Sequence, residues 1–247
     1  MADGKPAVPA RGKTVAIMQP YLFPYIPYFQ LMDLADVFVI LDDVSYINRG
    51  WINRNRILLA GQAHRITLQL RGASQNRRIN EIEVGDNAGK LLRTIAHAYA
   101  RAPNFGLVYP LIERVLLQPR KNLAAYLAVG LESVCRALGI ATPMLFSSSL
   151  EMPADLAGQQ RILAICRKLG ARTYVNPEGG RGLYHHRAFA ESGIGLFFLH
   201  GAPEPYRQAS GTFQSGLSII DAMMYCSPEE LQHRIRQYRL VPAGEET

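Results

Sequence analysis

The chain has 247 residues, 48% of them hydrophobic, and a formal net charge of +7 with a pI near 9.4. This length suits one sizeable α/β core, with room for a second unit only as a small lobe. The sequence has no run of about 18 apolar residues, which argues against a membrane-spanning helix.

The three cysteines, Cys135, Cys166 and Cys226, lie in apolar helical contexts and have no CxxC spacing. This pattern is typical of the reducing cytoplasm and argues against disulfides and a structural zinc site. A catalytic thiol is not favoured, because no cysteine has an adjacent polar loop or an obvious base.

The positive charge favours an anionic partner, which could be a small molecule such as a nucleotide-sugar or an acidic carrier protein. Basic residues occur in helices as well as loops, so ordinary solvated faces account for most of them. Nucleic acid is therefore not the favoured partner.

The N-terminal sequence MADGKPAVPARGK has no apolar signal core, so residues 1–13 are predicted to be a disordered leader. Residues 14–240 are predicted to form a single α/β domain with an insertion at about 56–138. Residues 241–247 are predicted to be a flexible tail.

The stretch that follows the leader predicts a βαβ unit. Val15 to Met18 is a short apolar run stopped by Gln19-Pro20, and Val37 to Leu41 is a second run stopped by Asp42-Asp43. Between them, the apolar residues from Ile26 to Leu34 suit one face of a short helix. Parallel strands bring their carboxyl ends to one edge of a sheet, where ligands bind.

Polar and aromatic residues collect after both strands. Gln19, Tyr21 and Tyr25 follow the first strand. The polar run after the second strand contains Asp42, Asp43, Tyr46, Asn48, Arg49, Trp51, Asn53, Arg54, Asn55 and Arg56. The only tryptophan lies inside this run, where an aromatic wall of a binding site is favoured over a buried indole.

Asp42 and Asp43 are the candidate catalytic residues, as a base for an attacking amine or as ligands of a magnesium ion beside a diphosphate. Adjacent strand residues point to opposite sides, so one of the two is expected to enter the site. The candidate substrate-binding residues of this stretch are Gln19, Tyr21, Tyr25, Tyr46, Arg49, Trp51, Asn53 and Arg54.

The middle of the chain predicts a β-hairpin with its turn near Gly61, a further strand from Ile79 to Val84, and helices at 88–101, 109–117 and 122–138. Strands near 143, 173 and 195 then alternate with a helix from Gly158 to Leu169. The predicted fold is a mostly parallel, Rossmann-like α/β sheet with helices on both faces and an inserted β-hairpin and helical segment.

A second polar motif, Asn176 to Arg181, follows the strand near 173. Its paired glycines, Gly179 and Gly180, would let backbone amides approach a ligand, and Arg181 could grip an anion. Tyr184 lies close behind. A later helix begins at Ser218, which is either a cap or an anion contact, and Asp221 shares its face.

Four segments, QPYLFPYIPYFQL, LDDVSYINRGWINRNRI, NPEGG and GLSIID, make the chain similar to the WbqC-like protein family, named from bacterial O-antigen gene clusters. The similarity spans Thr14 to Glu230. It implies a role in the biosynthesis of sugar-bearing surface polymers or small molecules, and it implies no particular reaction.

The favoured hypothesis is a group-transfer enzyme that moves an acyl or aminoacyl group from a carrier to an amine, such as that of an amino sugar. A nucleotidylyltransferase-like enzyme or ATP-dependent ligase, using Mg²⁺ with a nucleotide, is the alternative, although a Walker A loop and GxGxxG are missing. A non-catalytic sugar- or carrier-binding protein is the third hypothesis.

Overall fold

The structure, a computed structural model, describes residues 12–153, 155–201, 204–209 and 211–244. Its strands and helices follow one another along the chain as β1 (Lys13–Met18), α1 (Ile26–Leu34), β2 (Val37–Ile40), β3 (Arg54–Leu59), β4 (Gln62–Thr67), β5 (Leu70–Arg71), β6 (Glu83–Val84), α2 (Ala88–Tyr99), α3 (Phe105–Leu116), α4 (Leu123–Ala137), β7 (Met144–Phe146), α5 (Gly158–Lys168), β8 (Ala171–Pro177), α6 (His186–Glu191), β9 (Gly195–Gly201), α7 (Ile219–Tyr225), α8 (Pro228–Arg236) and β10 (Tyr238–Pro242). Short 3₁₀ helices lie at Ile79–Glu81, Ser147–Leu150 and Glu178–Leu183.

The main sheet has the strand order β10-β9-β8-β1-β2-β7. Strands β1, β2, β7, β8 and β9 are parallel, and β10 runs antiparallel beside β9. Counted along the chain from the β7 edge, this is the order 3-2-1-4-5-6 of doubly wound nucleotide-binding sheets. The chain leaves β1 on one side and returns at β8 on the other, so the topological switch point lies between β1 and β8.

Apolar side chains cover both faces of the sheet. In β1, Val15 and Ile17 pack against α5 and α6 on one face, and Ala16 packs with α1 and its neighbours on the other. Because both faces are covered, the inner strands are apolar throughout rather than alternating. The predicted Rossmann-like α/β fold, with helices on both faces, is confirmed.

The segment between β2 and β7 holds the predicted hairpin and three helices. Strands β3 and β4 pair antiparallel around Gly61, as predicted. The prediction of one strand from Ile79 to Val84 was wrong, since Ile79–Glu81 is a 3₁₀ turn and only Glu83–Val84 pairs, with β5. Three hydrogen bonds close this turn: the Arg78 N–H donates to the Glu81 carboxylate at 2.9 Å, the Glu81 N–H donates to the Arg78 carbonyl at 3.0 Å, and the Ile82 N–H donates to the Ile79 carbonyl at 3.3 Å.

The two ends of the chain are more ordered than the sequence suggested where the structure describes them. Lys13 is already part of β1, and Val241 and Pro242 pair with β9. A short strand that carries an exposed arginine and ends in proline is typical of a sheet edge, and its weak apolar pattern hid it. Residues 1–11 of the predicted leader and 245–247 of the predicted tail lie outside the described residues.

Candidate functional site

A cavity of about 640 Å³ opens at the carboxyl ends of β1, β2 and β8, beside the switch point. Open α/β sheets bind their ligands at this place. The lining residues are Ile17, Met18, Gln19, Tyr21, Pro24, Tyr25, Leu41, Ile47, Trp51, Asn55, Arg56, Ile162, Asn176, Pro177, Gly179, Gly180, Leu183, Tyr184 and Gly216. They bring together eight predicted site residues: Gln19, Tyr21, Tyr25, Trp51, Asn176, Gly179, Gly180 and Tyr184.

The loop after β1 forms the first wall and is held in a strained shape. Phe23 has a φ of 42°, which is costly for a bulky residue directly before a proline. Asn55 Nδ2 donates hydrogen bonds to the carbonyl oxygens of Leu22 (3.0 Å) and Phe23 (2.7 Å), and Ser218 Oγ donates to Phe23 at 2.7 Å. These buried bonds fix the loop that presents Tyr21 and Tyr25.

Trp51 forms a second part of the wall. Its side chain is 44% exposed, so the structure does not bury the indole in the core. The Arg56 guanidinium lies 5.4 Å from the ring centroid and donates a hydrogen bond to the Gly216 carbonyl at 3.2 Å. A cation over an indole face is held by electrostatic attraction, so Arg56 links the tryptophan to the loop before α7.

The opposite wall is built from β8 and the 3₁₀ helix at Glu178–Leu183. Asn176 is buried, and its Nδ2 donates to the Tyr174 hydroxyl at 2.7 Å, while the Tyr174 and Tyr184 hydroxyls lie 3.0 Å apart. A Cβ at Gly180 would lie 2.1 Å from Asn176 Oδ1. Only glycine fits there, because the helix backbone sits directly against the asparagine amide.

The cavity is close to electrically neutral. Among its described lining residues, Arg56 alone carries a formal charge. Burial raises the pKa of the Tyr21, Tyr25 and Tyr184 hydroxyls, so all three stay protonated at neutral pH and can donate hydrogen bonds. An organic ligand with rings, apolar surface and hydrogen-bond acceptors matches this lining.

The structure does not bring Asp42 to the cavity. Its carboxylate is 3% exposed and accepts hydrogen bonds from Ser147 Oγ (3.1 Å), the Ser148 amide (3.0 Å), Ser148 Oγ (2.7 Å) and Asn80 Nδ2 (3.1 Å). A buried carboxylate with this many donors is satisfied within the fold. Asp42 therefore fastens the end of β2 to the 3₁₀ helix at Ser147–Leu150.

Asp43 is likewise absent from the cavity lining. It shares the single Ser147 hydroxyl proton with Asp42, with Ser147 Oγ 2.5 Å from Asp43 and 3.1 Å from Asp42, and it forms a largely buried salt bridge with Arg161 of α5. Neither aspartate lines the cavity, and both carboxylates are held by Ser147, Ser148 or Arg161 instead.

The remaining predicted site residues lie away from the cavity lining. Tyr46 and Asn53 bond to each other at 2.9 Å, and Asn53 also donates to the Leu68 carbonyl. Arg49 is exposed at the tip of the loop, and Arg54 is half-buried in β3. Arg181 lies over the Phe198 ring at 4.8 Å.

Ser218 and Asp221 serve the packing of α7. Ser218 accepts the Ile220 N–H at 3.3 Å, so it is the helix cap, which was one of its two interpretations. Asp221 is fully buried and accepts hydrogen bonds from Tyr99 (2.9 Å), Tyr206 (2.7 Å) and Gln208 (2.7 Å). Neither residue lines the cavity.

Sequence reasoning missed several lining residues, of which Asn55 and Arg56 matter most. Both lie in the polar run after β2, and the prediction selected Asn53 and Arg54 instead. The repeated Asn-Arg pairs look alike in sequence, and only the register of β3 decides which pair meets the cavity. Ile47, Leu183 and Gly216 gave no polar signal at all.

Other sites for chemistry are limited in the described part of the chain. No group of three or more His, Cys, Asp or Glu side chains there could hold a metal ion. Burial raises the pKa of the Cys135 and Cys166 thiols to about 12 and that of Cys226 to about 11, which disfavours reactive thiolates. No helix in the described ranges is long and apolar enough to cross a bilayer.

The family model of the WbqC-like protein family matches residues 19–233, which include all the residues that line the cavity except Ile17 and Met18. The chain belongs to the WbqC-like protein family. This WbqC-like chain is also 30% identical over 222 residues to the uncharacterized protein Rv1507c of Mycobacterium tuberculosis, a match that covers 88% of this chain and 95% of the mycobacterial protein. No solved structure matches it significantly.

Proposed function

We propose that this WbqC-like protein is a group-transfer enzyme of bacterial surface-glycan or small-molecule biosynthesis. In the proposed reaction, an acyl or aminoacyl group passes from a carrier to an amine, such as that of an amino sugar. The observation that carries the proposal is the cavity, in which aromatic, amide and glycine residues from separate elements converge at the switch point of the sheet.

The lining suits positioning and hydrogen bonding rather than covalent catalysis. The amine nitrogen would form a bond to the acyl carbon, the bond from that carbon to the carrier sulfur or oxygen would break, and the amine proton would leave with the carrier thiol or hydroxyl. Protonated tyrosine hydroxyls and the Gln19 amide could donate to the carbonyl oxygen as negative charge develops there.

Asp42 and Asp43 have no part in this step. Their carboxylates bond to serines and to Arg161 and do not line the cavity. The proposal therefore gives them the role of holding the end of β2 in place and not the role of a base. A proton that leaves with the carrier group needs no separate carboxylate in the cavity.

A nucleotide ligand is the second candidate, and the strand order favours it. The 3-2-1-4-5-6 order is that of sheets that bind nucleotides at the switch point, and Arg56 could meet a phosphate. This candidate predicts a saturable rise in melting temperature with ATP or CTP that depends on Mg²⁺, whereas acyl transfer predicts no Mg²⁺ dependence.

A comparison of ligand binding by the wild-type protein and by the Trp51→Ala variant tests the proposed function. The wild-type protein should show saturable thermal stabilisation by an acyl-coenzyme A thioester or by a uridine-diphosphate amino sugar, because these probes present the carrier-linked acyl group and the amine. Removing the indole should weaken binding by about five- to thirtyfold, since a stacked ring contributes roughly 1–2 kcal/mol.

The matched control is Leu107→Ala, which truncates an exposed apolar side chain outside the cavity. It should bind as the wild type does. Mass spectrometry of molecules that copurify with each protein gives a second readout. Equal binding by Trp51→Ala and wild type, or no response to either probe class, would contradict the proposal.

A further inference from the structure

The net charge of the chain has a single source. Residues 44–80 contain seven arginines and no lysine, aspartate or glutamate, so this segment alone carries the +7 of the whole protein. Basic residues elsewhere are balanced in number by acidic ones, so the excess is concentrated in this segment and is not spread along the chain. We call residues 44–80 the arginine segment.

The arginine segment keeps most of its charges exposed to solvent. Arg49, Arg65, Arg71, Arg77 and Arg78 are exposed, and in the described part of the chain only Arg71 among them forms a salt bridge, with Asp86. The other four exposed guanidinium groups have no described acidic partner, so the segment presents an uncompensated positive surface. Such a surface is typical of a site for an anionic partner.

Cross-strand pairing places two arginines of the segment opposite each other. Arg56 of β3 lies directly opposite Arg65 of β4, and Arg54 lies two residues along on the same face of the hairpin. Directly opposite residues have Cβ atoms about 5 Å apart. The hairpin therefore concentrates guanidinium groups on the face that leads to Arg56 at the cavity.

Exposed apolar side chains surround the same opening. Tyr25 (36%), Ile47 (52%), Trp51 (44%) and Leu183 (69%) are exposed large hydrophobic residues, and all four line the cavity. We call them the apolar collar. Aromatic and apolar residues beside arginines are the composition of binding hot spots in protein interfaces.

We infer that the apolar collar and the arginine segment dock an acidic carrier protein, whose attached acyl group enters the cavity. This inference rests on the proposed function and names the carrier as a protein. Carboxylates of the carrier would pair with the arginines around the opening, and an apolar patch of the carrier would cover the collar.

The residue types favour a protein over a membrane or a nucleic acid. The segment uses arginine alone, whose planar fork pairs bidentately with carboxylates and with phosphates, so the apolar collar decides between these partners. Ile47 and Leu183 need apolar side chains opposite them, which a phosphate backbone does not offer. Trp51 is partly covered by Arg56, which limits insertion into a bilayer.

Binding of a small acidic acyl carrier protein with its phosphopantetheine arm tests the inference. The double variant Arg65→Glu and Arg78→Glu reverses two exposed charges that do not line the cavity. Biolayer interferometry should show wild-type binding that weakens when NaCl rises from about 50 to about 300 mM. The double variant should bind at least about tenfold more weakly.

The control is Arg114→Glu with Arg136→Glu, which reverses two exposed charges on α3 and α4. It should bind within about twofold of wild type, since both residues lie outside the arginine segment. Absence of carrier binding, or equal loss in both double variants, would overturn the inference.

Two further measurements distinguish the carrier protein from other partners and distinguish a failure of this inference from a failure of the proposed function. Arginine-dependent binding to phosphatidylglycerol vesicles or to single-stranded RNA, without carrier binding, would assign the surface to a membrane or nucleic acid and overturn the inference. If Trp51-dependent binding of small molecules persists while docking fails, the carrier inference alone falls. If both fail, the proposed function falls with it.

Discussion

Asn55 shows how one side chain can shape a binding wall without being a ligand contact. Its amide bridges two successive carbonyl oxygens of the loop after β1, and its Oδ1 accepts the Arg56 N–H at 2.8 Å. Every polar atom of the side chain is used, and the side chain is buried. The strained backbone at Phe23 persists because these bonds over-determine it.

Replacing Asn55 with alanine should destabilise the protein by about 2–4 kcal/mol, because the Leu22 carbonyl loses its donor, the Phe23 carbonyl keeps only Ser218, and the Arg56 N–H loses the Asn55 oxygen. Urea unfolding followed by fluorescence of the single tryptophan measures this loss. Ligand binding in the cavity should weaken as well, since Tyr21 and Tyr25 lose their fixed position. Asn48→Ala, at an exposed position without a described side-chain hydrogen bond, should change stability by less than about 0.5 kcal/mol. A loss of unfolding free energy below about 0.5 kcal/mol for Asn55→Ala would contradict the role of Asn55 in fixing the loop after β1.

At this scale the sequence predicted eight of the residues that line the cavity and several others that do not line it. Gln19, Trp51 and Asn176 follow strands, so strand ends predicted their place at the cavity. Asp42 follows a strand too, yet serines from the 3₁₀ helix at Ser147–Leu150 capture it. Those serines are more than a hundred residues away along the chain, and no local pattern could reveal the contact.

At the scale of elements, α7 anchors the segment that precedes it. Tyr206 and Gln208 both donate to Asp221, and Gln208 also exchanges hydrogen bonds with the backbone of Gln214. Gly216, two residues further on, reaches the cavity. The buried carboxyl thus holds in place the part of the segment that the structure describes and, through it, one edge of the site.

Asp221 should make stability depend on pH with a definite sign. Burial raises the pKa of its carboxyl above the usual range, against the opposing effect of hydrogen bonds from Tyr206, Tyr99 and Gln208. The folded state therefore binds this proton more tightly than the unfolded chain does. The resulting stabilisation is complete below the unfolded-state pKa of about 3.9 and is lost as pH rises through the folded pKa.

Urea unfolding of wild type and Asp221→Asn between about pH 4 and pH 7 measures this effect, because the comparison cancels all other titrating groups. The free energy of unfolding of wild type, relative to the variant, should fall as pH rises. Tyr225→Phe, which leaves the carboxyl and its donors intact, should keep the wild-type pH dependence. A wild-type-to-variant difference that stays constant or grows with pH would show that Asp221 does not titrate in this way.

Regular elements were the most predictable part of the fold. α1 was predicted with its observed bounds, and the strands near 15, 37, 143, 173 and 195 all exist, because long apolar runs and helical periodicity are local signals. The short pieces β5, β6 and β10 were missed or misplaced. Their pairing depends on partners distant in sequence, and two-residue strands leave almost no pattern.

At the scale of the whole molecule, the order of the strands and the distribution of charge both single out the candidate site. The strand order puts the cavity at the switch point, and the arginine segment, inserted between β2 and β7, supplies one wall and all of the net charge. A parallel sheet of this order needs only short loops at its carboxyl edge. The long insertion at that edge is therefore an addition to the scaffold, and its charge is a cost that the scaffold does not require.

Relieving that cost should stabilise the protein. Arg65→Gln removes one member of the cross-strand arginine pair, and Arg65→Glu replaces the repulsion from Arg56 with attraction. The free energy of unfolding should therefore rise from wild type to Arg65→Gln to Arg65→Glu, with about 0.2–1 kcal/mol between wild type and Arg65→Glu. Urea unfolding at about 20 mM and about 300 mM NaCl measures the gain, which should shrink as salt screens the charges. Arg114→Glu on α3 should show no comparable gain. If Arg65→Glu stabilises the protein and also weakens carrier binding, the repulsion between Arg56 and Arg65 is retained for docking. If Arg65→Glu destabilises the protein, or if salt leaves the gain in stability unchanged, the hairpin arginines do not strain the fold.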